Sequence, residues 1–190
     1  MNAGPTDLPE VLRIEPRIFT DSRGSFSEVW KDAPYAALGM TLPFVQDNMS
    51  HSVKGTLRGL HFQEPTAQGK LVQVMAGTVW DVAVDVRRGS PTFGKWVGFE
   101  LDATRLHQLW IPPGFAHGFL VLSEHATFLY KCTAHYSPQH ERSIRWDDPA
   151  LAIAWPLTPG QKPLLSGKDA EAPTLAEAPM LPSFTTVKGA

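Results

Sequence analysis

Proline and glycine interrupt this chain so often that a long helix has no room to form. The 190 residues carry 17 prolines and 15 glycines, spread as punctuation between short apolar runs. Proline breaks a helix from within, and glycine weakens one. Short runs bounded by turn residues are the pattern of an all-β domain. Val11 to Phe19 is expected as a first strand and Ser25 to Trp30 as a second, joined by the turn Asp21-Ser22-Arg23-Gly24. Lys31 to Leu38 suits one short helix, stopped by Gly39. Phe44 to Ser52 and Thr56 to Phe62 flank a Lys54-Gly55 turn. Leu71 to Met75 and Val79 to Val86 read as a hairpin closed by Ala76-Gly77-Thr78. Trp96 to Leu101, His107 to Ile111, Ala116 to Leu122 and Thr127 to Thr133 continue the spacing, which predicts a sandwich or barrel of jelly-roll type.

In the strand from Val79, alternation puts Trp80, Val82, Val84 and Val86 on one face and Val79, Asp81, Ala83 and Asp85 on the other. The two carboxylates either face solvent or line a wet cavity inside a barrel. After Asp147 the dipeptides Asp148-Pro149, Trp155-Pro156 and Pro159-Gly160 break any long element. Ser166-Gly167-Lys168-Asp169 resembles a helix start, and the end from about Pro182 is expected to be loose. The expectation is one domain over 1–190, with a core at about 11–160 and a C-terminal segment, 161–190, packing near the site.

Composition narrows the class. The chain is 43% hydrophobic and 19% charged, so it has the material for a core. Its formal net charge of −2 gives no basic surface for nucleic acid. Cys132 is the single cysteine, which excludes an internal disulfide and a zinc–thiolate cluster. The opening MNAGPTDLPE has neither the basic nor the apolar region of a secretory signal, and no run approaches membrane-helix length. These features predict a soluble cytoplasmic protein with no membrane partner.

The chemistry gathers at Arg58-Gly59-Leu60-His61-Phe62-Gln63. A guanidinium grips phosphate or carboxylate, and an imidazole exchanges protons near neutral pH. Strict alternation puts Arg58 and His61 on opposite faces, so both reach one ligand only if Gly59 marks a bulge or twist. Ile111-Pro112-Pro113-Gly114-Phe115-Ala116-His117 has the form of the second cupin motif. The first cupin motif needs H-x-H and then a carboxylate. Here Gln63 replaces the second histidine, and Ala67 and Gln68 stand where the acid belongs. First-row metals want imidazole or carboxylate ligands. The expectation is an all-β, cupin-like jelly-roll barrel with short flanking helices and no catalytic metal. A metal-free histidine base needs an orienting group, a cation for developing negative charge and an acid. Asp169, Lys70 and Tyr130 are suitable types, although spacing alone does not select them. Arg23 and Arg58, each beside a glycine, are candidates for an anionic ligand.

The ordered series DSRGSFSE, VQDNMSHS, LRGLHFQ, GKLVQV, GTVWDVAVDVRRGSPTFG, IPPGFAHGF, YKCTAHYSP and IRWDDPALAIAWP resembles the dTDP-4-dehydrorhamnose 3,5-epimerase family. The likeness runs from about Val11 to Asp169. It implies a cofactor-free, metal-free jelly-roll homodimer of a deoxysugar pathway, acting on a dTDP-4-keto-6-deoxysugar. By that resemblance His61 is the general base, Asp169 its orienting partner, Tyr130 the general acid and Lys70 the stabiliser of an enolate. Arg23, Glu28, Gln46, Asn48, Arg58, His117, Glu141 and Lys168 match positions that hold nucleotide, diphosphate or sugar, and Tyr136 one that stacks on thymine. It also implies N-terminal strand exchange between subunits, so that Arg23 serves a neighbour's site. The stretch Thr133-Ala134-His135-Tyr136 departs from the family, which often has an acidic residue and an aromatic before that tyrosine. The activity implied is inversion at C3 and C5 of dTDP-4-dehydro-6-deoxy-D-glucose. Its rivals are a single-carbon epimerase, a metal-dependent cupin oxygenase and an inactive sugar-nucleotide binding module.

Overall fold

The computed structural model describes residues 1–158 and 160–184. The chain runs through β1 (Asn2–Pro5), β2 (Leu12–Glu15), β3 (Ile18–Asp21), β4 (Gly24–Ser27), α1 (Asp32–Ala36), β5 (Gln46–Val53) and β6 (Leu57–Gln63). It continues through β7 (Lys70–Ala76), β8 (Thr78–Asp85), β9 (Trp96–Asp102), β10 (Gln108–Ile111), β11 (Phe115–Val121), β12 (His125–Cys132), β13 (Glu141–Ser143) and α2 (Gly167–Ala170). One sheet has the order β1-β2-β10-β7-β12-β5; the other is β13-β6-β11-β8-β9; β3 and β4 pair only with each other. The result is a cupin-like jelly roll of two sheets. Among the described residues the two sheets are not joined into a closed barrel.

Three local expectations need correction. The single strand expected over Val11 to Phe19 is two strands, because Pro16 cannot donate to a ladder and the chain bends there. The expected hairpin at Ala76-Gly77-Thr78 does not exist: β7 pairs with β10 and β12, whereas β8 pairs with β9 and β11. The chain crosses from one sheet to the other at Gly77. That residue has φ +79°, and a Cβ on it would lie 2.1 Å from the His125 carbonyl oxygen. Pro182 to Phe184 are also tied down. Arg88 N–H donates to the Pro182 carbonyl, and Phe184 N–H donates to the Arg88 carbonyl. Residues 185–190 lie outside the described residues.

The main core fills the space between the sheets. Val72, Val74 and Phe128 from one sheet meet Val79, Ala83, Phe115 and Phe119 from the other. The outer face of the five-stranded sheet is covered as well. Val82, Val84, Leu60 and Phe62 pack against Leu151 and against Leu175 and Ala178 of the C-terminal segment. That cover explains the apolar Trp80–Val86 face, which points away from the main core. Burial of this kind is worth about 1.5–3 kcal/mol per large side chain. Neither carboxylate of β8 faces solvent, since Asp81 and Asp85 are both fully buried. Asp85 accepts from Arg87, Ser90 and Thr92 at the sheet end, and Arg87 also holds Glu10. Among the described residues no helix is long and apolar enough to cross a membrane.

Candidate active site

The site is built on the middle of β6, where the ladder with β11 slips. His61 lies opposite His117 and Arg58 opposite Phe119, so three steps on β6 match two on β11. The extra residue is a bulge at Gly59. Phe119 belongs to the main core and His117 packs with it at 6.4 Å between ring centroids. Both face inward, and their ladder partners Arg58 and His61 therefore share that face. Gly59 makes this possible at φ +125°, with its missing Cβ replaced by the backbone of Gly118. Arg58 and His61 line one groove of about 350 Å³ with Lys168 and Asp169.

His61 is held by the C-terminal segment. Leu57 N–H donates to the Leu164 carbonyl, and Leu164 N–H donates to the Gly55 carbonyl, so the segment runs beside the start of β6. Ser166 caps α2 by accepting from the Asp169 N–H. Asp169 is 3% exposed, and its Oδ1 sits 2.5 Å from His61 Nε2. Burial opposes ionisation of Asp169, but the bonds from His61 and Ser166 outweigh it and hold the carboxyl below its usual range. With Nε2–H donating to this carboxylate, Nδ1 of neutral His61 carries the lone pair of a base.

On the other side of His61 lies a cavity of about 290 Å³, lined by Gln46, Asn48, Lys70, Tyr130, Tyr136 and Glu141. Lys70 is 7% exposed, and Nζ donates to the His61 carbonyl at 3.3 Å. Among the described residues no carboxylate lies in direct contact with it. Burial pushes the Lys70 ammonium down, and nearby anionic groups offset part of that. Burial raises Tyr130, while Arg58 pulls it back. At the rim, Tyr136 donates its hydroxyl to Glu141 at 2.7 Å and its N–H to Gln46 at 2.8 Å. Gln46 donates to Asn48, and Lys168 pairs with Glu141. Glu141 is half-buried, yet its bonds from Lys168 and Tyr136 hold it below the usual range.

Gln63, at the cupin ligand position, is fully committed. Its Nε2 donates to the carbonyls of Thr66 and His135, and its Oε1 accepts from Ser137 N–H. Of the expected residues, Arg58, Lys168 and Asp169 line the adjoining groove rather than the cavity, and three more fall outside both. His117 is buried behind it, with Nε2 donating to Asp81 at 2.8 Å. Arg23 stands on the exposed β3–β4 hairpin and pairs with Asp21. Glu28 follows that hairpin and is also exposed. Phe62 and Gln68 line the cavity and were not among the expected binding residues.

A histidine–carboxylate pair, a buried lysine and a tyrosine meet around one cavity in a jelly roll, and these are the groups that acid–base chemistry requires. The comparisons narrow that class. A sequence model of the family described as dTDP-4-dehydrorhamnose 3,5-epimerase matches residues 5–177. The chain is 53% identical over 183 residues to the dTDP-4-dehydrorhamnose 3,5-epimerase of Pseudomonas aeruginosa, covering 96% of this chain and 100% of that one. Its fold matches a dTDP-6-deoxy-D-glucose-3,5-epimerase from Legionella pneumophila, crystallised with dTDP-4-keto-L-rhamnose, at a TM-score of 0.93 and 52% identity over 97% of this chain and 98% of that one. A 3′-monoepimerase from Streptomyces bikiniensis matches at a TM-score of 0.85 and 39% identity, covering 91% of this chain and 87% of that one. The chain belongs to the dTDP-4-dehydrorhamnose 3,5-epimerase family.

Proposed function

We propose that this protein inverts C3 and C5 of dTDP-4-dehydro-6-deoxy-D-glucose, giving dTDP-4-dehydro-L-rhamnose. One observation carries the reading: the His61–Asp169 pair, the buried Lys70 and Tyr130 surround a single polar cavity. Hydrogens on C3 and C5 both neighbour the C4 ketone, so removing either gives an enolate with its charge on the C4 oxygen. Nδ1 of His61 takes the proton, and Asp169 stabilises the imidazolium that forms. Lys70 stabilises the enolate oxygen in a site drier than water, where a fixed cation is worth more. Tyr130 returns a proton from the opposite face, which inverts the centre. Arg58 and Lys168 grip the diphosphate, Tyr136 stacks on the base, and Gln46, Asn48 and Glu141 hold the sugar and nucleotide. No cofactor enters this scheme.

Incubation in D2O tests the reading. Deuterium should enter the product at C3 and C5, and His61→Ala should lose that exchange while still binding dTDP. Label at one carbon only would assign the chain to single-carbon epimerisation, as in the monoepimerase relative. We also infer a cytoplasmic homodimer in which the β3–β4 hairpin of one subunit delivers Arg23 and Glu28 to the other. The exposed Phe19 and Phe26 and the detached pairing of the hairpin support this. β1 and β2 pair within their own sheet, whereas the hairpin pairs with no other strand among the described residues, which makes it the element proposed to cross. Mixing inactive His61→Ala and Arg23→Ala proteins should restore activity; no recovery would refute the exchange.

A further inference from the structure

We propose that Asp81 is a positioning residue of the active site, the counter-charge of the Lys70 ammonium across the interior of the jelly roll. The inference rests on the proposed role of Lys70 only in its kinetic part; its stability part stands on the structure alone. Asp81 is fully buried on β8, in a core otherwise formed by residues such as Val79, Ala83 and Phe119. Its Oδ2 accepts from His117 Nε2, and its Oδ1 has no hydrogen-bond partner among the described residues. A carboxylate in such a place is strongly disfavoured unless an opposite charge is near. Lys70 has the complementary problem: it is 7% exposed and has one neutral acceptor, the His61 carbonyl.

The other groups around Lys70 do not neutralise it. Cys132 and Tyr130 of β12 are both held in the uncharged form by burial at neutral pH. His61 of β6 offers only its carbonyl and is engaged with Asp169. His117 of β11 is engaged with Asp81. Glu141 of β13 is anionic, but Lys168 already pairs with it at the cavity rim, where solvent screens it. Asp81 remains as the anion with an uncommitted oxygen, and its charge raises the basicity of Lys70. The two are not in direct contact but sit at the ends of one short chain of neighbours: Lys70 Nζ donates to the His61 carbonyl, His61 lies opposite His117 in the β6–β11 ladder, and His117 donates to Asp81. The attraction acts through the low-dielectric core, where it is stronger than in water. His117 fixes the position of the carboxylate through Oδ2.

A double-mutant cycle tests this, using Asp81→Asn, Lys70→Met and the double variant in the full chain. Asparagine keeps the shape and can still accept from His117 Nε2–H. In the wild-type background Asp81→Asn should lower Tm by about 3 °C or more. In the Lys70→Met background the same change should raise Tm or leave it unaltered, because Asp81 is then the unpaired charge. If Asp81→Asn fails to fold alone, rescue by Lys70→Met shows the same coupling. Equal destabilisation in both backgrounds, or a double variant that also fails to fold, overturns the proposal. In Asp81→Asn enzyme the alkaline limb of kcat/KM should move down by about one pH unit. The Tm reversal without that movement would uphold the counter-charge and count against Lys70 as the enolate stabiliser.

Discussion

Replacing Gly59 with alanine tests the bulge that turns Arg58 and His61 toward one ligand. The residue has φ +125°, and the new Cβ would lie 2.5 Å from Gly118 Cα and 2.8 Å from the His117 carbonyl oxygen. Both contacts are backbone, so no side chain can swing away. The unfavourable φ costs about 1–3 kcal/mol. Overpacking against the β11 backbone adds about 1–3 kcal/mol. The sum, about 2–6 kcal/mol, corresponds to a Tm loss of roughly 4–24 °C for a chain of this size. A 1 Å displacement of a reacting group costs about 100-fold in rate. Relief of the clash must move His61 relative to Asp169, so kcat/KM should fall by at least that factor even where the variant folds. Gly4→Ala is the control, since its Cβ meets nothing within 4 Å. Scanning calorimetry and a coupled reductase assay read both effects. A Gly59→Ala protein that melts within about 2 °C of wild type and keeps its kcat/KM would refute the bulge argument.

Asp169→Asn removes the anion behind His61, and kcat should fall by about 10²–10⁴ with dTDP affinity unchanged by calorimetry; retained turnover would remove Asp169 from the support of the base. Tyr130→Phe should slow product formation more than loss of the substrate's C–H label, because acid and base act on different faces; equal slowing would make Tyr130 a packing residue. Asp85, Asp102 and Asp169 pay for burial, yet surrounding donors hold all three carboxyls below their ordinary range. Each binds a proton less tightly folded than unfolded, so its stabilisation is complete above about pH 4 and is lost as pH falls through the lower folded values. Urea unfolding should show stability dropping below about pH 4, and Asp102→Asn should flatten that slope; an unchanged slope would contradict the assignment.

Much of the fold is legible because strand punctuation is local. Lys54-Gly55 turns where expected, and the helix expected over Lys31 to Leu38 forms over Asp32–Ala36, with Gly39 in the turn that follows its Ala37 cap. Pairing is not local. Nothing in Ala76-Gly77-Thr78 reveals whether the chain folds back or crosses to the other sheet; the packing of Gly77 against His125 decides it. The site divides in the same way. Alternation shows only that Arg58 and His61 share a ligand if Gly59 bends the strand, and the bulge that bends it depends on Gly118 of a neighbouring strand. Alternation places Asp81 opposite the apolar face without showing whether it meets water or His117. The expected catalytic set rests on resemblance rather than spacing, since Asp169 lies 108 positions from His61.

That separation has a consequence for how the protein comes into being. A ribosome releases the strands from β1 to β13 well before Leu164, Ser166 and Asp169 have left its exit tunnel. His61 therefore gains its carboxylate only when the C-terminal segment docks beside β6. On the proposed mechanism the base is armed late in the biography of each molecule, and a chain cut short before Ser166 should lose both that carboxylate and the cover that Leu175 and Ala178 give the outer sheet face.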